Sequence, residues 1–527
     1  MKVLVSDKLG EAGIELFKNE PGIEVDVKTD LTPEALIDQI GAYDALVIRS
    51  ATRVTAEVIA AATNLKVIGR AGIGLDNVNV PAATQKGIVV MNTPTGNTIT
   101  TAEHAIAMMM ALSRNIPQAT ISLKAGRWEK KKLQGREMMN KTLGLLGFGK
   151  IGSIVADRAR GLRMNVIIFD PNVNPEKIQE AGYESVSLDE LYARSDYITI
   201  HVPKMEKTIG LLNADAFSRM KDGIMIINCA RGGIIDEAAL YDALKSGKVA
   251  GAALDVFAKE PPGEHPLLTC DNVICTPHLG ASTQEAQTNV AVDVARQIIA
   301  YLKEGTIINA VNTPSVTGDR LARLKPYLEL GRKLGLLLAQ IHRGKLQEVA
   351  IEYSGEYHDL ELGPISTALI NGLLEPLVRE GVNAVNAPAI AREMGIKVTE
   401  TLRAEPFDYL NLMTVRVTAT EQTDTVSGTL FGKIYPRIVE INDFRVDVSP
   451  EGHMLIILSE NKPGVIGKIG TTFGEGGVNI VRFMVGNEAI AGQKNMVIIK
   501  TDEPVPADIL ETLKNKKIIF AATPVNF

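Results

Sequence analysis

Arg231, Glu260 and His278 are residue types that together can hold an anion and move a proton. Each follows a short apolar run: Arg231 in MIINCARGG, Glu260 behind Asp255 in GAALDVFAKEPP, and His278 in NVICTPHLG. If those runs are parallel strands, ligands sit at their carboxyl ends, so the three groups face one cleft. A guanidinium presents a planar fork that takes a carboxylate or carbonyl in bidentate fashion. A histidine exchanges a proton in both directions near neutrality, and a carboxylate beside it fixes its tautomer. The set therefore reads as anion holding, proton transfer and support of the base.

A second constellation lies upstream. In LGLLGFGKIGSIVADRA, Gly147, Gly149 and Gly152 form GxGxxG directly after an apolar run and at the mouth of a helix, with Lys150 and Ile151 inside the turn. Backbone amides and the helix dipole there favour a pyrophosphate. The next apolar run, NVIIFD, ends in Asp170, 18 residues beyond Gly152, where an acid can bond a ribose diol. Its charge repels a 2′-phosphate and no Arg or Lys follows at once, so NAD is expected rather than NADP.

The elements that must position these groups read as follows. From Met1 to about residue 312, short β-branched runs alternate with helical stretches, the pattern of parallel strands covered on both faces. Because the fingerprint starts near residue 140, two α/β lobes are expected: residues 1–97 plus 286–312 as a substrate-binding lobe, and 98–285 as a dinucleotide-binding lobe. SerThrGlnGlu at 282–285 reads as a capping box opening the long helix back to the first lobe. Residues 313–448 read as an α+β unit, and 449–527 follow a βαββαβ plan.

Composition narrows the classes. The 527 residues carry a formal charge of −6, with no basic stripe for nucleic acid or an anionic membrane. The three cysteines, Cys229, Cys270 and Cys275, form neither a disulfide framework nor a metal-binding pattern, so no metal is expected. No segment approaches a membrane span, and the apolar run in MKVLVSDKLG is too short for a signal peptide; a cytoplasmic protein is expected.

The series LGFGKIG, NCARGG, LDVFAKEPP and TPHLGAST, with GRAGIGLDNV and MNTPTGNT, resembles the D-isomer-specific 2-hydroxyacid dehydrogenases. The resemblance spans the chain: its last two units look like the intervening and ACT domains of long family members. It implies two doubly wound Rossmann-like lobes and oxidation of a 2-hydroxy acid by NAD. Arg231 would bind and polarise the carboxylate and carbonyl, His278 would be the acid/base, and Glu260 its partner. Asp255 would lie near the nicotinamide carboxamide, with Val202, Cys229, Ala230, Ile73 and Gly280 lining the same pocket. His201 reads as a pocket wall.

A phosphorylated acid needs cations on the opposite lobe. Arg49, Ser50 and Arg53 in IRSATRVT, Arg70 in VIGRAG and Lys130 in WEKKKLQGR supply them, with Lys131, Lys132 and Arg136 nearby. The amides of Gly72 and Ile73 read as an anion nest for the substrate carboxylate. The resemblance makes 3-phosphoglycerate the expected substrate. By the same resemblance, Asn461, Gly464 and Asn479 would hold L-serine as an effector between two ACT domains, although Ser459 departs from relatives with a ring side chain there. Lys433, Arg437 and Arg445 read as an anion patch. A homo-oligomer assembled through residues 100–136 is implied. Two rivals stay open: a dehydrogenase of another 2-hydroxy acid, and a dinucleotide-sensing protein that has lost catalysis.

Overall fold

The apolar runs of the first 312 residues become short parallel strands in the computed structural model, which describes residues 1–314, 319–378, 381–403, 408–488 and 494–527. Among the described residues the strands form three sheets. The first holds β1 (Lys2–Val5), β2 (Glu24–Val27), β3 (Ala45–Ile48), β4 (Val67–Arg70) and β5 (Val89–Asn92) in the order β2-β1-β3-β4-β5. The second holds β6 (Thr142–Leu146), β7 (Asn165–Phe169), β8 (Glu184–Ser185), β9 (Tyr197–Ile200), β10 (Ile224–Asn228), β11 (Val249–Leu254) and β12 (Val273–Cys275) in the order β12-β11-β10-β9-β6-β7-β8. Pairing in both sheets is parallel throughout. The residues of β3, β5, β9 and β10 are all buried, as helices on both faces require.

In the second sheet the chain runs from β6 outward through β7 and β8, then returns to start β9 on the other side of β6. Ligands of such sheets bind at that switch point, beyond the carboxyl ends of the strands. β2 and β8 carry too little apolar pattern to read as strands, because EVDV and the pair Glu184–Ser185 lie at sheet edges with polar side chains in solvent.

The helix Gln284–Glu304 returns to the first lobe and packs Val290, Val294 and Ile298 against Val3, Val5, Val47 and Val67. A Cβ on Gly69 would meet Val294 at 2.7 Å and Ile298 at 2.9 Å, so glycine sets how close the helix lies to β4. The start of this helix differs from the expected capping box. Thr283 is the cap, accepting from Ala286 N–H at 3.2 Å, while Ser282 stays outside in a turn bonded to Leu279 O.

The remainder forms one mixed sheet. The strand Leu346–Gly355 pairs parallel with Lys397–Arg403 and antiparallel with Asn411–Ala419. Phe444–Val448 then pairs with Ile480–Glu488, so the sheet runs on into the βαββαβ unit. One apolar core joins both parts, from Leu330 and Leu334 through Val415 and Ile438 to Met454 and Ile498. Of the described residues, no helix is long and apolar enough to cross a membrane.

Candidate active site

β10, β11 and β12 are adjacent, and their carboxyl ends lead into the segments bearing Arg231, Asp255 with Glu260, and His278. His278 adopts φ of +54°, in the left-handed region that side-chain-bearing residues rarely enter. Its N–H donates to Asp255 O at 2.9 Å and to Thr276 O at 3.0 Å. Nδ1 lies 2.8 Å from Glu260 Oε2, and Glu260 Oε1 accepts from Phe257 N–H at 3.1 Å. An ionised carboxylate can only accept, so Nδ1 carries the hydrogen. The Nε2 lone pair is left for an incoming hydroxyl.

Arg231 reaches across to the first lobe. Its Nε donates to Asp76 Oδ2 at 3.0 Å and its Nη1 to Ala230 O at 2.7 Å. Nη2 lies where a Cβ on Gly74 would stand, and the main chain at Gly232 runs against Phe257 O so closely that only glycine fits. Gly74→Ala is therefore expected to displace the guanidinium and lower kcat/KM by about 10²-fold with NADH affinity unchanged. Steady-state kinetics beside a fluorescence titration with NADH check this.

Arg70, at the end of β4, donates from Nε to Asn77 Oδ1 at 3.1 Å. Burial, and then the Arg231 guanidinium, lower its pKa to about 10, which leaves it cationic at neutral pH. Asn77 also donates to Arg49 O (2.7 Å) and Thr52 O (2.6 Å), and the buried Asp7 accepts from Arg49 N–H at 2.6 Å and Thr52 Oγ1–H at 2.8 Å. Two residues not singled out from the sequence, Asp7 and Asn77, thus pin the loop on which Ser50 and Arg53 are exposed. Arg49 and Arg231 both lie close enough to act on Arg70, so three guanidiniums share one field.

Three sequence expectations meet different surroundings. Gly72 N–H is committed to Thr93 Oγ1 at 2.7 Å, so of the two nest amides only Ile73 N–H has no hydrogen bond among the described residues. Asp255, expected beside the nicotinamide carboxamide, is 1% exposed, and its carboxylate accepts from Leu279 N–H (2.7 Å), Gly280 N–H (2.9 Å) and Thr276 Oγ1–H (2.6 Å). It braces the His278 turn. Lys130 is exposed on a turn where Lys132 pairs with Glu129. Its segment docks through Arg136 on Gly223 O, just before β10 and so at the end of the sheet opposite the cleft. No contact brings Lys130 to Arg49, Arg70 or Arg231 among the described residues.

The fingerprint residues fit a dinucleotide. Gly147 has φ of +96°, and a Cβ there would meet His201 O at 2.7 Å and Val202 at 2.9 Å. Gly152 packs on Gly147 O with no room for a side chain, while the space over Gly149 is open. The helix Lys150–Gly161 starts at Gly149 with no side-chain cap, leaving its first amides for a phosphate. Asp170 accepts from Phe148 N–H and Asn172 N–H, both at 2.8 Å, so the acid stands beside the glycine turn. Asp170→Asn keeps an acceptor and removes the charge; the preference for NAD over NADP is expected to narrow by about tenfold in kcat/KM. Cys229 is buried, which pushes its thiol up, and burial lowers His201 to about 4, so it is a neutral wall bonded to Thr199.

The effector candidates lie apart from this cleft. Gly464, at φ of +85°, opens the helix Val465–Glu475; Asn461 Oδ1 accepts from Asn495 at 3.0 Å, and Asn479 donates to Asp502 at 3.2 Å. Ser459 is fully buried. Lys433 has φ of +68°, Arg437 lies 3.9 Å from Asp447 and Arg445 3.8 Å from Asp408.

A doubly wound cofactor lobe with an arginine, a glutamate–histidine pair and a second lobe opposite defines the class, and family comparison agrees. Residues 106–280 match the NAD-binding domain of the D-isomer-specific 2-hydroxyacid dehydrogenases, and the chain belongs to that family. Residues 323–442 match the intervening domain of D-3-phosphoglycerate dehydrogenase, and 453–517 an ACT domain. The chain is 44% identical, over the whole of both sequences, to a D-3-phosphoglycerate dehydrogenase of Archaeoglobus fulgidus. It is 45% identical to that of a Synechocystis strain, over 97% of this chain and 92% of the other. Among solved structures, an NAD-dependent formate dehydrogenase from Staphylococcus aureus in complex with NAD is 30% identical with a TM-score of 0.54, covering 60% of this chain and all of the other.

Proposed function

We propose that this enzyme oxidises the 2-hydroxyl of D-3-phosphoglycerate with NAD, giving 3-phosphohydroxypyruvate, the first step of L-serine biosynthesis. The observation that carries the reading is the field that Arg49 and Arg70 share with Arg231, whose strand β10 stands in one row with the strands that lead to Glu260 and His278. Arg49 and Arg70 hold the phosphate. Arg231 holds the carboxylate and the reacting oxygen, and the Ile73 amide adds a donor. His278 Nε2 takes the hydroxyl proton; Glu260, already bonded at Nδ1, stabilises the imidazolium that results. Arg231 steadies the developing alkoxide. NAD, when bound, supplies the hydride acceptor. Gly147, Gly149, Lys150, Ile151 and Gly152 seat its pyrophosphate and Asp170 its ribose, with Val202, Cys229 and Ala230 as walls.

L-Serine at Asn461, Gly464 and Asn479 is the proposed effector. The proposed assembly is a homotetramer, cytoplasmic, with residues 100–136 in one contact; the exposed Ile121, Leu123 and Trp128 support that surface. Measuring NADH oxidation with 3-phosphohydroxypyruvate and with hydroxypyruvate tests the substrate. The phosphorylated ketoacid is expected to be preferred by about 10² or more in kcat/KM, a preference that Arg70→Leu removes. Equal turnover of both acids would transfer the assignment to a dehydrogenase of an unphosphorylated acid.

A further inference from the structure

The helix Thr98–Ser113 packs against β11 and β12 and touches the His278 turn from below. Thr101 and His104, one turn apart, bond to the turn, and Met108 Sδ lies 3.9 Å from Thr276 Oγ1. Thr101 Oγ1 donates to Gly280 O at 3.0 Å, and His104 Nε2 lies 3.1 Å from Thr276 Oγ1 and 3.2 Å from Asp255 Oδ1.

The hydrogens in this cluster can be assigned. Thr276 gives its one hydroxyl hydrogen to Asp255 Oδ1 at 2.6 Å, so toward His104 its oxygen only accepts. The ionised Asp255 also only accepts. His104 Nε2 therefore carries a hydrogen that both oxygens share. Burial works against the Asp255 carboxylate, yet the bonds from His104, Thr276 and Leu279 N–H outweigh it and hold the carboxyl below its ordinary range.

Asp255 takes bonds from Thr276, Leu279 and Gly280, the residues on either side of His278. Those bonds, with His278 N–H on Asp255 O, keep His278 in its left-handed conformation with Nδ1 on Glu260. We infer that His104 is a positioning residue for the reaction: its Nε2–H completes the set of donors on Asp255, and Asp255 fixes the turn that aims His278. The inference rests on the assignment of proton transfer to His278. Among the described residues, His104 touches neither Arg231, Glu260 nor the His278 side chain.

The test compares full-length His104→Leu, His104→Gln and His278→Ala with the unmodified enzyme in 3-phosphohydroxypyruvate reduction. Glutamine offers an N–H at nearly the reach of the imidazole Nε2; leucine offers none. His104→Leu is expected to lower kcat by about 10–100-fold, with KM for the ketoacid changed by less than about threefold, and His104→Gln to recover most of the loss. NADH-binding stoichiometry is expected to stay that of the unmodified enzyme. Unchanged kcat in His104→Leu overturns the inference, as does a His104→Gln variant no better than leucine. A fall in NADH stoichiometry that accounts for the loss of kcat also overturns it, because the role is then one of folding. His278→Ala separates the two levels: an inactive His278→Ala beside a fully active His104→Leu removes only the positioning role, whereas an active His278→Ala removes the proton-transfer assignment itself.

Discussion

His278→Ala is expected to lower kcat for 3-phosphohydroxypyruvate reduction by about 10²–10⁴-fold, the range for a lost general acid or base. Nδ1 is tied to Glu260 at 2.8 Å, so Nε2 is the only ring nitrogen left to exchange a proton with substrate oxygen. Alanine removes both. It also suits the backbone less well, because φ at this position is +54°; a His278→Asn variant, which tolerates that conformation better, separates backbone strain from lost chemistry. Both variants are expected to be impaired alike, with NADH affinity by fluorescence titration within about twofold of the unmodified enzyme. Recovery of activity in the asparagine variant would locate the role of His278 in the shape of the turn.

The second large effect belongs to Arg231. Arg231→Lys keeps the charge but loses the fork, and is expected to lower kcat/KM by about 10²–10³-fold. In the structure Nε is bound to Asp76 and Nη1 to Ala230 O, which orients the plane and directs its remaining hydrogens. A lysine ammonium makes at most one of those anchoring bonds while holding substrate. The loss is expected in kcat as well as KM, since the charge on the reacting oxygen grows toward the transition state. A change in KM alone, with kcat preserved, would mean that Arg231 binds the acid without polarising it. Asp76→Asn, which weakens the anchor and leaves the arginine, is expected to fall between the two.

Arg231, Glu260 and His278 were legible because each follows an apolar strand, and a parallel sheet places such positions at one end. What the sequence leaves open is which strands are neighbours; the order β12-β11-β10 puts the three groups side by side. The supporting residues were harder to read. Asp76 and Arg231 are 155 residues apart, and His104 lies on a helix whose apolar composition, TITTAEHAIAMMMALS, suggests only packing. Asp7 and Asn77 matter largely through main-chain groups of the Arg49–Thr52 loop, which no side-chain pattern reveals. Asp76 did carry a signal, standing two residues after Gly74 in the turn already expected to face the cleft.

Asp255 shows the opposite limit. Its place at a strand end suggested an open acid, and only the tertiary bonds to Thr276, Leu279 and Gly280 show that the carboxylate is turned inward. In the third unit, the strand Lys397–Arg403 is hard to read because KVTETLR is an exposed edge strand, and the helix Leu362–Leu374 because LGPISTALINGLL is buried on most sides and lacks a polar stripe.

The central claim is removal of the C2 hydrogen of a D-configured, phosphorylated 2-hydroxy acid as hydride, and its most direct test uses 3-phosphoglycerate deuterated at C2. With NAD and the D enantiomer, the reduced dinucleotide is expected to carry the deuterium by mass spectrometry, to form in equal amount with 3-phosphohydroxypyruvate, and to be absent with the L enantiomer. Reduced dinucleotide without the deuterium, or equal formation from both enantiomers, would contradict the account.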